Sequence, residues 1–558
     1  MLVSPHVVQQ RGCVRLLVVG MLVIVSVLVL KHVQQRQRLP GVAGLGLLAP
    51  SPKTPSTCHP ELAAIDGLAS DLTAAFKYSR RCVQPVFRPE HTSTSHAAVR
   101  RKPTAMAGQL IHGEGEVMVV NRTAASCGPP EPLPCEPLLL DVPQPYPATT
   151  NYSHLLFGVA SSHGRLLKAL DGFAHWLGGT EARLMAIVQE HDEEGEEGAA
   201  ANDNRGKTKD TQQQLAGLER AYRARGVRLT ALPPQNKAAR TVVQNHFAVL
   251  AVLLEAASPE ARWLGIVDDD TFVPSLYKLD ATLAKHDHAR PTWLGALSED
   301  FDAMARWGYM AYGGAGVFVS VPLARELAPH MVQCLQQKKG ERVGGPMTIA
   351  GASSSSSSSF FSSSSGKAGW KTTGDGLLRD CIYRHSTTKL TVVPGLYQHD
   401  LYGDIDGFYE SGVLPLSVHH WRSWYKAPLP AMATVNRLCG DCFLERFLWN
   451  SPDTKPPVTL LSNGYSITQY HRDVPDLTHM ELTWSHAGSE FDFSLGPLRP
   501  ALNETQKKSY RLQEAIVDDK TGTLRQVYVY KGEFFADEMD EVFELVWKTD
   551  VNKDKGGI

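Results

Sequence analysis

W-L-G-I-V-D-D-D-T-F-V-P, residues 263–274, is the stretch from which the fold and the chemistry are read. Trp263, Leu264, Ile266 and Val267 form a short apolar run suited to a buried strand. Asp268, Asp269 and Asp270 follow at its end. Ionised carboxylates repel one another and resist burial, so a strand that runs into three of them needs compensation. A divalent cation supplies it by taking oxygen ligands from one or two carboxylates and sharing the rest with substrate phosphates. A solvated acidic turn after an ordinary core strand is the other reading. Alone, the stretch leaves both open.

Working upstream, the pattern predicts an amphipathic helix over 241–257, a strand over 227–232 and a helix over 215–225. An acidic, Gly-rich loop covers 190–206. Before it stand a strand at 182–188, a helix at 166–177, a turn at 161–164 and a strand at 154–160. Strands alternating with helices predict an α/β, mostly parallel, Rossmann-like sheet flanked by helices, with ligands at the carboxyl ends of the strands. The Asp triplet sits at such an end.

Downstream, 292–296 reads as another strand, and 310–320 as a Gly-rich turn between apolar runs. Gly313, Gly314 and Gly316 permit close backbone approach to a ligand, though such a turn is often only a tight corner. Residues 353–366 are a Ser-rich low-complexity insertion, expected to be disordered. Asp375, between Gly374 and Gly376, opens a helix over 377–384 and is either an N-cap or a general base. A dense block over 397–410 leads to the strand-like 416–421. There His419 and His420 should point to opposite sides, because side chains alternate along a strand. Each is a core histidine or a metal ligand.

With 558 residues, 43% hydrophobic and 20% charged, the chain can bury a large core. A net charge of −2 and the lack of a basic, aromatic-laced stripe argue against nucleic acid as a partner. Residues 16–30 carry no charge and lie between basic residues, which predicts a transmembrane signal anchor behind a cytoplasmic tail over 1–15. A cleaved signal peptide is the competing reading. Sequons at Asn121, Asn151 and Asn503, with eight of nine cysteines beyond the apolar run, suit a luminal, oxidising setting. Residues 31–150 lack periodicity and read as a stem, with a possible helix over 61–76. Cys439 and Cys442 read as a disulfide, and 429–558 as a β-rich C-terminal lobe.

Taken together, the motifs F-G-V-A (157–160), F-A-H-W (173–176), V-D-D-D-T-F (267–272), L-S-E-D (297–300), Y-G-G-A-G (312–316), G-D-G-L-L-R-D-C (374–381) and the block 398–421 resemble the fringe-like glycosyltransferases of family 31. The likeness is nearest to the fungal and plant branch and spans about 151–428. It implies a type II Golgi membrane protein with a GT-A fold. Such an enzyme moves a hexose or N-acetylhexosamine from a UDP-sugar to a glycan or glycoprotein hydroxyl. The transfer is inverting and Mn²⁺-dependent, and usually forms a β-1,3 bond. By motif position it implies Asp268 and Asp270, with His419 or His420, as metal ligands and Asp375 as catalytic base. Ser161, Ser162, Asp268, Asp269 and Gly314 would meet the donor, and Gly313, Ala315 and Gly316 would form a loop at the sugar. The family often pairs two acids where this chain has Gly374 and Asp375. A metal-dependent phosphohydrolase and a non-catalytic carbohydrate-binding luminal protein are the alternatives.

Overall fold

Along Leu155–Ser162 (β1), Leu155, Phe157 and Val159 enter one apolar layer, and Leu156 and Ala160 enter another. A strand buried throughout yet divided by period 2 requires cover on both faces. In the computed structural model, β1 lies within a seven-stranded sheet. The structure describes residues 72–88, 100–111, 117–121, 135–147, 149–189, 204–235, 241–336, 373–449, 457–471, 473–485, 491–518, 520–532 and 538–548. All of these belong to the unit spanning 56–558.

The other strands of this sheet are Arg183–Gln189 (β2), Arg228–Leu232 (β3), Trp263–Ile266 (β4), Trp293–Gly295 (β5), Val317–Ser320 (β6) and Leu390–Val392 (β7). Their order is β7-β5-β6-β4-β1-β2-β3. Strands β1 to β4 pair in parallel, as do β5 and β7, while β6 runs antiparallel to both neighbours. One face is covered by His163–Leu177 (α1), Asn204–Ala224 (α2) and Leu276–Leu283 (α4). The other is covered by Val242–Ala256 (α3), Phe301–Trp307 (α5), Val321–Leu327 (α6) and Gly374–His385 (α7). Phe157 meets Trp176 of α1 edge-on at 4.8 Å, a pair worth about 0.5–1.5 kcal/mol beyond the area it buries. The expected mixed α/β architecture and mostly parallel sheet are therefore present.

The described residues between 72 and 147 depart from the expected stem. Ala75–Phe87 is an interior strand of a ten-stranded sheet. It pairs in parallel with Glu541–Lys548 and with Glu136–Val142, and antiparallel with Met118–Asn121. The remaining strands are Thr104–Met106, Arg446–Trp449, Val458–Ser462, Ser466–Tyr470, Lys507–Asp518 and Thr523–Tyr530. Residues 75 and 76 thus begin a strand, not the end of a helix. The buried guanidinium of Arg101 donates to the carbonyls of Gly412, Asp441 and Phe443. That contact ties the segment to the body as secondary structure would. A single apolar core joins Phe272, Val418 and Trp421 to Leu429, Phe447 and Tyr528, so packing is continuous across residue 428.

Disulfides join Cys82 to Cys135, Cys334 to Cys381, and Cys439 to Cys442. Asn151 and Asn503 are exposed, and Asn121 ends the strand Met118–Asn121. Among the described residues no helix is long and apolar enough to cross a membrane. The apolar run 16–30, the Ser-rich insertion and Cys58 and Cys127 lie outside the described residues, as do 190–203 of the acidic loop.

Candidate active site

The carboxyl ends of β1 and β4 and the amino end of β6 lie at one edge, because β6 is reversed relative to β4. Ser161 and Ser162 end β1, Asp268–Asp270 follow β4, and the single 3₁₀ turn Gly313–Ala315 precedes β6. Asp375 enters the same edge from the first turn of α7, which is capped by Thr373 through its side chain and the amide of Gly376 at 3.0 Å. Asp375 is therefore not the cap; its carboxylate is turned to the cluster.

The histidines bind the acids together. His419 Nε2 lies 2.9 Å from Asp270 Oδ1 and 3.3 Å from Asp268 Oδ2. Its Nδ1 is 3.2 Å from the carbonyl of Gln398, which aims Nε2 at the carboxylates. His420 Nδ1 stands 4.0 Å from Asp270, and its Nε2 stands 3.4 Å from Asp400. Both histidines face Asp270, contrary to strict alternation, because His420 adopts φ +58° and the local structure is a bridge running into a turn. A left-handed non-glycine residue costs roughly 1–3 kcal/mol, and such strain collects at functional sites. A stack of Tyr402 on Trp424 (4.1 Å) and Trp424 on His420 (3.7 Å) holds the His420 ring. Ser423 Oγ donates to Asp270 at 3.2 Å.

His246, on α3, lies between the two acidic groups. Its Nε2 is 3.0 Å from Asp375 Oδ1 and its Nδ1 is 3.4 Å from Asp268 Oδ1. Asp269 is engaged differently: the Arg165 guanidinium grips it as a fork at 2.6 and 2.7 Å, and Ser161 donates to it. Ser162 caps α1 by accepting from the Arg165 amide. The three carboxylates are thus inequivalent. Asp268 and Asp270 face the histidines, and Asp269 belongs to arginine.

The Gly-rich loop closes over this cluster. A Cβ on Gly314 would collide with the His419 ring, so the loop reaches the cluster only with glycine there. Thr271 Oγ donates to the Gly314 carbonyl at 2.9 Å, Ala315 N donates to Gln398, and Ser417 donates to the Ala315 carbonyl. Gly316 takes φ +93°. Gln398 and His399 give their amides to Glu299 at 2.9 Å each, and Ser298 donates to Asp400.

Electrostatics follow from this packing. Burial raises the Asp270 carboxyl, but His419, His420 and Arg165 together hold it well below the ordinary carboxylate range. Burial lowers His419, yet Asp270 and Asp268 outweigh it and raise the imidazole well above its usual value. Burial also lowers His246, and Asp375 with Asp268 reverses this, pushing it up to about 9. The cluster is an acidic site compensated by histidine protons. Asp270, His419 and His420 each offer one ligand atom within 4.8 Å of the others, a set of oxygen and nitrogen donors that suits a divalent transition metal.

The structure therefore gathers Asp268, Asp270, Asp375, His419, His420 and Gly313–Ala315 at one edge. Sequence reasoning missed His246, Arg165, Gln398, Glu299 and Asp400 as participants. His246 carried one signal, a polar ring in the first turns of a helix otherwise rich in Val, Leu and Ala. A separate cavity of about 500 Å³, lined in part by His154, Arg262, His288 and Arg325, shares no residue with this cluster.

Residues 230–349 match the family model described as Fringe-like. None of the curated proteins compared with the chain matches it. Among solved structures, the mannosyltransferase PcManGT of Pyrobaculum calidifontis, in complex with GDP-Man and Mn²⁺, is similar at 12% identity and a TM-score of 0.20. That match covers 34% of this chain and 50% of that one, so this chain spans about half of it. Mouse xyloside xylosyltransferase 1, apo form, is similar at 10% identity and a TM-score of 0.22, covering 34% and 72%. The glycosyltransferase GlyE of Streptococcus pneumoniae TIGR4 is similar at 11% identity and a TM-score of 0.25, covering 50% and 60%. The Fringe-like match contains the Asp triplet, the Gly-rich loop and His246. This chain carries a fringe-like glycosyltransferase domain.

Proposed function

We propose that this chain is a GT-A-type glycosyltransferase that moves a hexose or N-acetylhexosamine from a UDP-sugar to an acceptor glycan hydroxyl, with inversion and through a β-1,3 linkage. The observation that carries the reading is the shared edge, where a carboxylate at a helix start, Asp375, faces a second acidic group compensated by histidines. One group suits proton abstraction and the other suits a divalent cation.

Asp270, His419 and His420 would hold Mn²⁺, with Asp268 beside them. The donors fit, since each histidine offers one nitrogen to the cluster while the other meets Gln398 or Asp400. Binding a cation would displace the His419 proton that Asp270 and Asp268 favour, while burial already favours neutral His420. Bound there, Mn²⁺ supplies charge stabilisation to the departing diphosphate. The chain's own residues do the rest. The Gly313–Ala315 turn lets a sugar approach the backbone, and Arg165 keeps Asp269 neutralised beside the donor edge. Asp375 takes the proton of the acceptor hydroxyl as it attacks from the opposite face.

The same reading takes 16–30 as a single-pass anchor and sets the body in the Golgi lumen. Three disulfides and the exposed asparagines of two sequons support that setting. The test is the purified full chain, incubated with a panel of UDP-sugars, Mn²⁺ and glycan acceptors, beside a phosphate-release assay on simple phosphoesters. Transfer that stops in Asp375→Asn while UDP-sugar binding persists supports the reading. Phosphate release without transfer overturns it.

A further inference from the structure

We propose that His246 is a positioning residue that ties the Asp375 carboxylate to the acidic end of β4, so that base and cation site keep one separation. The inference rests on the transferase reading and deepens it. Asp375 and Asp268 lie on elements distant in sequence, and His246 touches both: Nε2 to Asp375 Oδ1 at 3.0 Å, Nδ1 to Asp268 Oδ1 at 3.4 Å. Nε2 is hydrogen-bonded to Asp375 and Nδ1 makes an ion-pair contact with Asp268, so carboxylates engage both ring nitrogens. That separates positioning from direct catalysis. Among the described residues the hydrogen bond from His246 restrains Asp375 at Oδ1.

Three elements are shaped around this ring. Helix α3 starts at a reciprocal cap between Thr241 and Gln244, which fixes the turn that carries His246. A Cβ on Gly374 would sit 2.5 Å from the His246 ring, and one on Gly313 would sit 2.9 Å from that ring and 2.7 Å from Asp375 Oδ1. The Gly-rich turn and the start of α7 therefore both reach the histidine through glycine. A misplaced catalytic group of about 1 Å costs on the order of 100-fold in rate, so a ring that sets this spacing has a kinetic consequence.

Steady-state kinetics on the full chain test it, with circular dichroism and thermal unfolding as controls. His246→Ala is expected to lower kcat about 100-fold with the donor KM within about threefold, because the loss falls on the transition state rather than on binding. His246→Gln restores an N–H near the Nε2 position and should recover about tenfold or more of that loss. A folded His246→Ala with wild-type kcat, or a His246→Gln no better than alanine, overturns the proposal. If His246→Ala does not fold, His246→Gln against His246→Asn, whose shorter amide falls short of Asp375, reads the same contrast. Transfer by wild type with no loss in the variants defeats this inference alone. Absence of transfer by wild type from every UDP-sugar defeats the transferase reading, and this inference with it.

Discussion

At Gly314 the space for a side chain is already taken by the His419 ring. Gly314→Ala is expected to cost about 1–3 kcal/mol through overpacking and to weaken Mn²⁺ binding by displacing His419, as thermal unfolding and a Mn²⁺ titration will show. Asp270→Ala should lower Mn²⁺ affinity at least about tenfold. Asp269→Asn should leave that affinity nearly unchanged, since Asp269 is gripped by Arg165. A third residue carries a pH signature. Burial, then the charge of Asp400, pushes Glu299 up to about 8, although the amides of Gln398 and His399 pull the other way. Between its unfolded value near 4.5 and about 8, the folded chain holds a proton that the unfolded chain has lost. Its stabilisation is thus full below the unfolded pKa and drains away as pH rises through that window, by up to about 1.4 kcal/mol per pH unit. Denaturant melts at several pH values should show this fall in wild type and a flatter profile in Glu299→Gln. Asp268, Asp270, Asp375, His419 and His420 were readable in the sequence because each stands in a dense local motif. His246 was not, since its partners lie on β4's end and on α7, and no local pattern records that convergence.

Helix α7 brings Asp375 into the cluster, and two devices hold it. Thr373 caps the first turn, and Cys381 bonds Cys334 in the helix Met331–Leu335. Thr373→Ala should cost about 1 kcal/mol and, on the proposed function, lower kcat more than donor affinity, because the loosened turn is the one that bears Asp375. Thermal unfolding beside kinetics checks both halves. The apolar runs and helical spacings from 154 to 257 map onto β1, β2, β3 and helices α1 to α3, because each of these elements buries the residues that its own sequence makes apolar. The 416–421 stretch defeated the same reasoning. Its backbone makes only isolated bridges through Ser417 and Val418, and the positive φ of His420 turns two neighbouring rings to one side.

Across the whole molecule, the least legible part was the region taken as a stem. Ala75–Phe87 alternates poorly and contains Pro85, yet it is paired on both edges. Its partners come from far along the chain, and pairing at that distance leaves no local period to read. A fragment starting at residue 152 lacks this strand and its neighbours up to Glu136–Val142. It is expected to be insoluble or to melt without cooperativity, whereas a fragment starting at residue 56 folds; expression and calorimetry of the two decide it. The parallel register between Lys77 and Glu541 also sets a clock on biosynthesis. These residues are 464 positions apart, and at about 5–20 residues per second a ribosome needs roughly 20–90 s to make the intervening chain. Throughout that interval the edge of Ala75–Phe87 that Glu541–Lys548 will occupy stays open. A premature stop anywhere before residue 541 therefore leaves Ala75–Phe87 without its Glu541–Lys548 partner and splits the ten-stranded sheet at that point.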